Sequence, residues 1–69
     1  MSVVKVLNLL GSSNESWENA VSVALDEANR TVKNITGFEV LNTTGVVQDG
    51  KISEYKANIN VAFRVDNGN

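Results

Sequence analysis

The chain has 69 residues, no cysteine, no histidine and no proline, with six Lys plus Arg against eight Asp plus Glu. Those absences exclude disulfides, thiolate or imidazole metal sites, a cysteine nucleophile and Ser-His-Asp catalysis. A domain this short buries only about 60% of its unfolded surface and normally needs a staple. With the other staples excluded, an ion held by oxygen ligands and self-association are the ones left.

The net charge of −2 is spread thinly, and Lys5, Arg30, Lys33, Lys51, Lys56 and Arg64 stand singly. Without a basic stripe, and with 6% aromatic residues, the chain is not expected to bind nucleic acid. The apolar run Val3–Leu10 is interrupted by Lys5 and Asn8 and is far shorter than the ~20 residues of a membrane span. It also lacks signal-peptide features, so a cytoplasmic location and no membrane contact are expected. The Asn-x-Ser/Thr triplets at Asn14, Asn29, Asn34 and Asn42 are read as chance matches in an Asn-rich chain.

In chain order, Met1–Leu10 predicts a strand rich in β-branched residues. Gly11-Ser12-Ser13 is expected to break it, with Ser12 or Ser13 capping a helix and Glu15 completing a capping box with Ser12. From Asn14 to about Val32, the apolar positions Trp17, Ala20, Val21, Ala24, Leu25, Ala28 and Val32 recur at helical spacing. Ile35–Leu41 predicts a second strand, in which Gly37 marks a bulge or a close backbone approach. Asn42-Thr43-Thr44-Gly45 reads as a turn, Val46–Gly50 fits either strand or loop, and Asp49-Gly50 is a hairpin dipeptide. The clearest pattern is the last. Tyr55, Ala57, Ile59, Val61, Phe63 and Val65 alternate with Glu54, Lys56, Asn58, Asn60, Ala62 and Arg64, a half-buried strand followed by the polar tail Asp66–Asn69.

The expected fold is therefore α+β in the order β-α-β-β: residues 1–69 form one domain, a three-stranded antiparallel sheet on one helix. A lone helix covers one face of that sheet. The other, bearing Lys56, Asn58 and Asn60, suits a wet interface or a cavity wall.

Chemically the chain offers little for an enzyme. Glu15, Glu18, Asp26 and Glu27 fit a solvated helix face better than an acid/base pair held in contrasting environments. Glu15 and Glu18, with nearby Ser12, Ser13 and Asn14, do concentrate oxygens at a helix start. Calcium or magnesium needs more ligands than one chain supplies there, and a symmetry axis would multiply each carboxylate. Trp17 fits core packing or a subunit boundary. Lys56 and Arg64 could hold an anion on the polar sheet face.

Val3-x-Lys5-Val6, the Gly11-Ser12-Ser13 break, Ser16-Trp17-Glu18, Thr31–Ile35, Glu39-Val40 and Tyr55 followed by Val61-Ala62-Phe63 together resemble the dodecins. The resemblance implies a sheet partly wrapped around the helix and twelve copies closed into a hollow sphere. It also implies storage rather than catalysis. Flavin-binding members carry a stacking Trp early in strand two, where this chain has Gly37, and a Gln after the strand-three Tyr, where it has Lys56. Ordinary paired binding of riboflavin or FMN is accordingly not expected. Ser16-Trp17-Glu18 is similar to a second group described as calcium-binding, which implies divalent-cation ligation by Glu15 first and by Glu18 with it. The expected function is a homododecameric shell that binds or stores calcium or magnesium. The alternatives are a store for flavin or another planar ligand using Gly37 and Lys56, and an assembly with no dedicated ligand.

Overall fold

The structure is a computed structural model that describes residues 3–65. The first-strand positions Met1 and Ser2 and the tail Asp66–Asn69 lie outside the described residues. Four elements follow in chain order: β1 (Val3–Ser13), α1 (Trp17–Thr31), β2 (Ile35–Gln48) and β3 (Lys51–Val65). They form one antiparallel sheet of order β1-β3-β2. The β-α-β-β expectation holds, and the strand with the strongest alternation takes the centre.

α1 packs over β1 and β3 and barely touches β2. Helical spacing places Ala20, Ala24 and Ala28 on one stripe, and all three are buried. They meet Ala57, Ile59 and Val61, the inward positions of β3, which are fully covered. The stripe is made of alanine, so the helix axis lies close to the sheet. Gly11 completes that fit. A Cβ on Gly11 would collide with the carbonyl oxygen of Ala20 and lie 3.0 Å from the Ala24 methyl.

This contact corrects the first boundary. Gly11-Ser12-Ser13 does not break the strand: β1 keeps an unbroken register with β3 through Ser13, paired with Tyr55. The glycine serves close approach, not chain reversal. The expected caps move accordingly. Ser12 lies on the sheet and its hydroxyl donates to Glu54 Oε2. Ser13 is buried, and its Oγ donates to Asn19 Oδ1 at 2.7 Å and accepts from the Glu15 N–H at 2.9 Å. The N-cap is Ser16, with extended backbone and Oγ accepting from the Asn19 N–H at 2.9 Å. The Ser12–Glu15 capping box does not form, and Glu15 precedes the helix. Ser16→Ala should cost about 1 kcal/mol of unfolding free energy, read as a lower urea midpoint with unchanged slope.

At the other end Val32 is extended, not helical, with its N–H still bonded to the Ala28 carbonyl at 2.9 Å. Asn34 turns the chain at φ 64°, a left-handed conformation that Asn tolerates.

The second correction concerns β2, which runs unturned from Ile35 to Gln48. Asn42, Thr43, Thr44 and Gly45 all pair with β3. The reversal comes at Asp49-Gly50, with φ 54° and 76° between the pair Gln48 and Lys51. Two positive φ values in a two-residue loop give the tight turn that matches strand twist. β2 shifts register at Ile35/Gly37, Val40/Asn42 and Val46/Val47, so the bulge expected at Gly37 is present. Residues 46–54 extend past the end of β1 as a bare two-stranded ribbon.

Candidate functional site

Three groups of residues meet the sequence expectations. The first is the helix start. Trp17 opens α1 but leaves the alanine stripe: its Nε1 donates to the Thr44 carbonyl at 2.8 Å, and its ring meets Tyr55 edge-on at 4.7 Å and 83°. The indole thus ties the helix start to the root of the hairpin. At 39% exposure it is only partly covered by its own chain. Glu15 and Glu18 flank N-cap Ser16, both exposed, and neither carboxylate takes part in a hydrogen bond or ion pair among the described residues. They do not share a helix face, because Glu15 is not helical. The positive end of the helix dipole opposes a cation here, so two carboxylates alone make a poor site. No group of three or more carboxylates is gathered among the described residues. The donors fit calcium chemistry in type and fall short in number.

The second group is the outer face of the sheet, away from the helix. Asn8 Nδ2 donates to Asn58 Oδ1 at 2.8 Å, to Asn60 Oδ1 at 3.0 Å and to the Ile59 carbonyl at 3.0 Å. Asn58 Nδ2 donates in turn to Asn42 Oδ1 at 2.9 Å. Four asparagines therefore form a neutral amide network across all three strands. Asn58 and Asn60 are outward positions in the sequence pattern, whereas Asn8 there only interrupts an apolar run and Asn42 fits a turn. The available signal was amide residues recurring at outward positions in otherwise apolar strands.

The third group comprises Gly37 and Lys56. Gly37 pairs with Ala62 on the outer face and opens a hollow of ≈ 240 Å³ lined by Val6, Phe38, Glu39, Asn60 and Ala62. Phe38 pairs with Val61, an inward residue, so its ring belongs to the other face and stays half exposed. Lys56 pairs with Ser12 and Thr44, and its ammonium lies 4.0 Å from Glu54. Ala62 and Lys56 are six residues apart on one extended strand, a separation of about 20 Å. One chain therefore does not bring Gly37 and Lys56 into a common pocket.

The exposed surface is more apolar than such a fold leaves to water. Among the described residues, twelve large hydrophobic side chains are exposed, whereas the large fully buried ones are Ile59 and Val61. The exposed set includes Val4, Val6 and Leu10 on the outer face and Phe38 and Val40 on the uncovered inner face of β2. Apolar surface on that scale marks interaction sites. Among the described residues, no helix is long and apolar enough to cross a membrane.

A three-stranded sheet on a single helix, with a long hairpin arm and an undersized core, defines a class of small α+β chain with much apolar surface left over. Comparison with known proteins gives that class its family. The Dodecin family model matches residues 3–66, and the chain belongs to the dodecin family. It is 33% identical over 64 residues to the dodecin of Thermus thermophilus, covering 93% of each chain. It is 35% identical over 66 residues to the calcium dodecin of Mycobacterium tuberculosis, covering 94% of this chain and 92% of that one. The fold superposes on a Thermus thermophilus protein with a TM-score of 0.91 at 32% identity, covering 96% and 97% of the two chains. It superposes on the M. tuberculosis calcium dodecin, described as calcium-chelating with a novel calcium-binding site, with a TM-score of 0.80 at 31% identity, covering 97% and 96%.

Proposed function

We propose that this chain is a non-enzymatic, self-assembling storage protein of twelve copies that holds divalent cations, calcium foremost, through Glu15 and Glu18. The observation that carries the reading is the state of those two carboxylates: exposed, flanking a fixed helix start and without an intrachain partner. Repetition around a symmetry axis supplies the oxygens that a single chain lacks, and several carboxylates together overcome the helix dipole. Similarity to a relative named as a calcium dodecin supports the choice of ion. Self-assembly is supported by the core, which is too small for so much exposed apolar surface.

Native mass spectrometry of protein dialysed against calcium tests both parts. The expected particle is about 89 kDa, twelve chains in a closed point group, with ions retained. The double variant Glu15→Gln with Glu18→Gln should keep that mass and lose the ions. A one-chain mass for the wild type overturns the shell. Undiminished calcium in the double variant overturns the site.

A second reading rests on the hollow at Gly37. It is open, apolar at Val6 and Ala62, and has the Asn60 amide at its rim, a combination that suits a small planar ligand. Its distance from Lys56 places both residues in one site only across a boundary between copies.

A further inference from the structure

The hairpin arm and the groove between α1 and β1 are unlike surfaces that complement each other. The arm ends in residues 46–52, beyond the reach of β1 and outside the cover of α1. Val46, Val47 and Ile52 are all exposed there, Val47 at 67%. A two-stranded ribbon is marginal in water without an apolar face to pack on. β3 continues into the arm past its last β1 pair at Tyr55, and the arm carries the register shift at Val46/Val47.

The groove has a volume of ≈ 480 Å³. Its apolar wall includes Leu9, Ala24 and the exposed Val23, and its charged lip is Asp26, Glu27 and Arg30. Arg30 and Glu27 neutralise each other at 3.4 Å. Asp26 is left with no hydrogen bond or ion pair among the described residues, and the Lys51 ammonium at the arm tip is in the same position. An apolar tip with one uncompensated cation thus meets an apolar groove with one uncompensated anion.

We propose that the arm tip of one copy docks in the α1–β1 groove of a second copy, with Lys51 facing Asp26 across the boundary. The contact joins two different patches, so it propagates head to tail and must close into rings to give a finite particle. It rests on the self-assembly proposed above and names the surfaces that carry it.

Charge reversal tests the pairing over a protein dilution series at low salt. Lys51→Glu and Asp26→Lys should each raise the dissociation midpoint of the particle at least tenfold, read by sedimentation velocity. Combining them should restore the midpoint to within threefold of wild type. Val47→Asp should dissociate the particle while retaining the far-ultraviolet signature of the wild type, and Lys33→Glu, outside both surfaces, should change nothing. If the reversed pair is no better than either single variant, or if Lys51→Glu and Val47→Asp leave the particle intact, this contact is overturned and the shell stands on other surfaces. A wild type that remains a single chain overturns the shell reading itself, and this contact with it.

Discussion

Gly11→Ala is expected to be the most damaging single-methyl change in the protein. The added Cβ would collide with the Ala20 carbonyl, a backbone group near the start of α1, so no rotamer change relieves it. The helix would have to lift from the sheet and open gaps around Ala24, Ala57 and Ile59, the residues packed between helix and strands. Overpacking of this kind costs about 3 kcal/mol. For a domain of this size that lowers the thermal midpoint by about 12–24 °C, measured at matched protein concentration because assembly adds its own stability. Gly50→Ala, at φ 76° on the arm tip, is the useful contrast, because its penalty is local strain with no core displacement. A Gly11→Ala variant as stable as wild type would mean that the helix does not rest on the glycine.

Gly37→Trp is expected to have the largest effect on ligand choice. Nothing lies within 4 Å of a Cβ at Gly37, so the hollow over Val6 and Ala62 has room for a ring. An indole there would give the outer face a flat aromatic surface at the position where the resemblance places the stacking Trp of flavin-binding dodecins. Base–aromatic stacking of about 1–3 kcal/mol corresponds to roughly 5–150-fold in affinity. Riboflavin titrated with micromolar wild-type protein should keep its full emission, and the same titration with Gly37→Trp should quench it. Quenching by the wild type would favour the planar-ligand reading over the cation reading. No quenching by Gly37→Trp would show that more than the missing ring keeps flavin out, with Lys56 and its Glu54 partner the next residues to exchange.

The two readings of function therefore separate on different atoms. The cation reading rests on Glu15 and Glu18 at the helix start, and the planar-ligand reading on Gly37 on the outer face of the sheet. The amide network of Asn8, Asn42, Asn58 and Asn60 lies on that outer face and is neutral, which disfavours it as an ion site while leaving hydrogen-bonding edges for a polar ligand.

The sequence by itself determined the element types, their order and the buried stripe. Period-two alternation from Tyr55 to Val65 and the three- and four-residue spacing of Ala20, Ala24 and Ala28 are local patterns, and each states its own backbone geometry and inner face. It also limited the chemistry, since a chain without cysteine or histidine can ligate only through oxygen and a few amines. Boundaries were decided by tertiary structure wherever a local signal had two meanings. Gly11-Ser12-Ser13 carries every mark of a break, yet the glycine is there because a helix presses on it and the serines are there to bond Glu54 and Asn19. Asn42–Gly45 looks like a turn, yet pairing with residues 55–58 of β3 holds it extended and moves the reversal to Asp49-Gly50. The separation of Gly37 from Lys56 along β3, and the outreach of Val46, Val47 and Ile52 beyond the end of β1, exist only once three strands are in register. Register depends on contacts made by residues far apart in the chain, which no window of sequence contains.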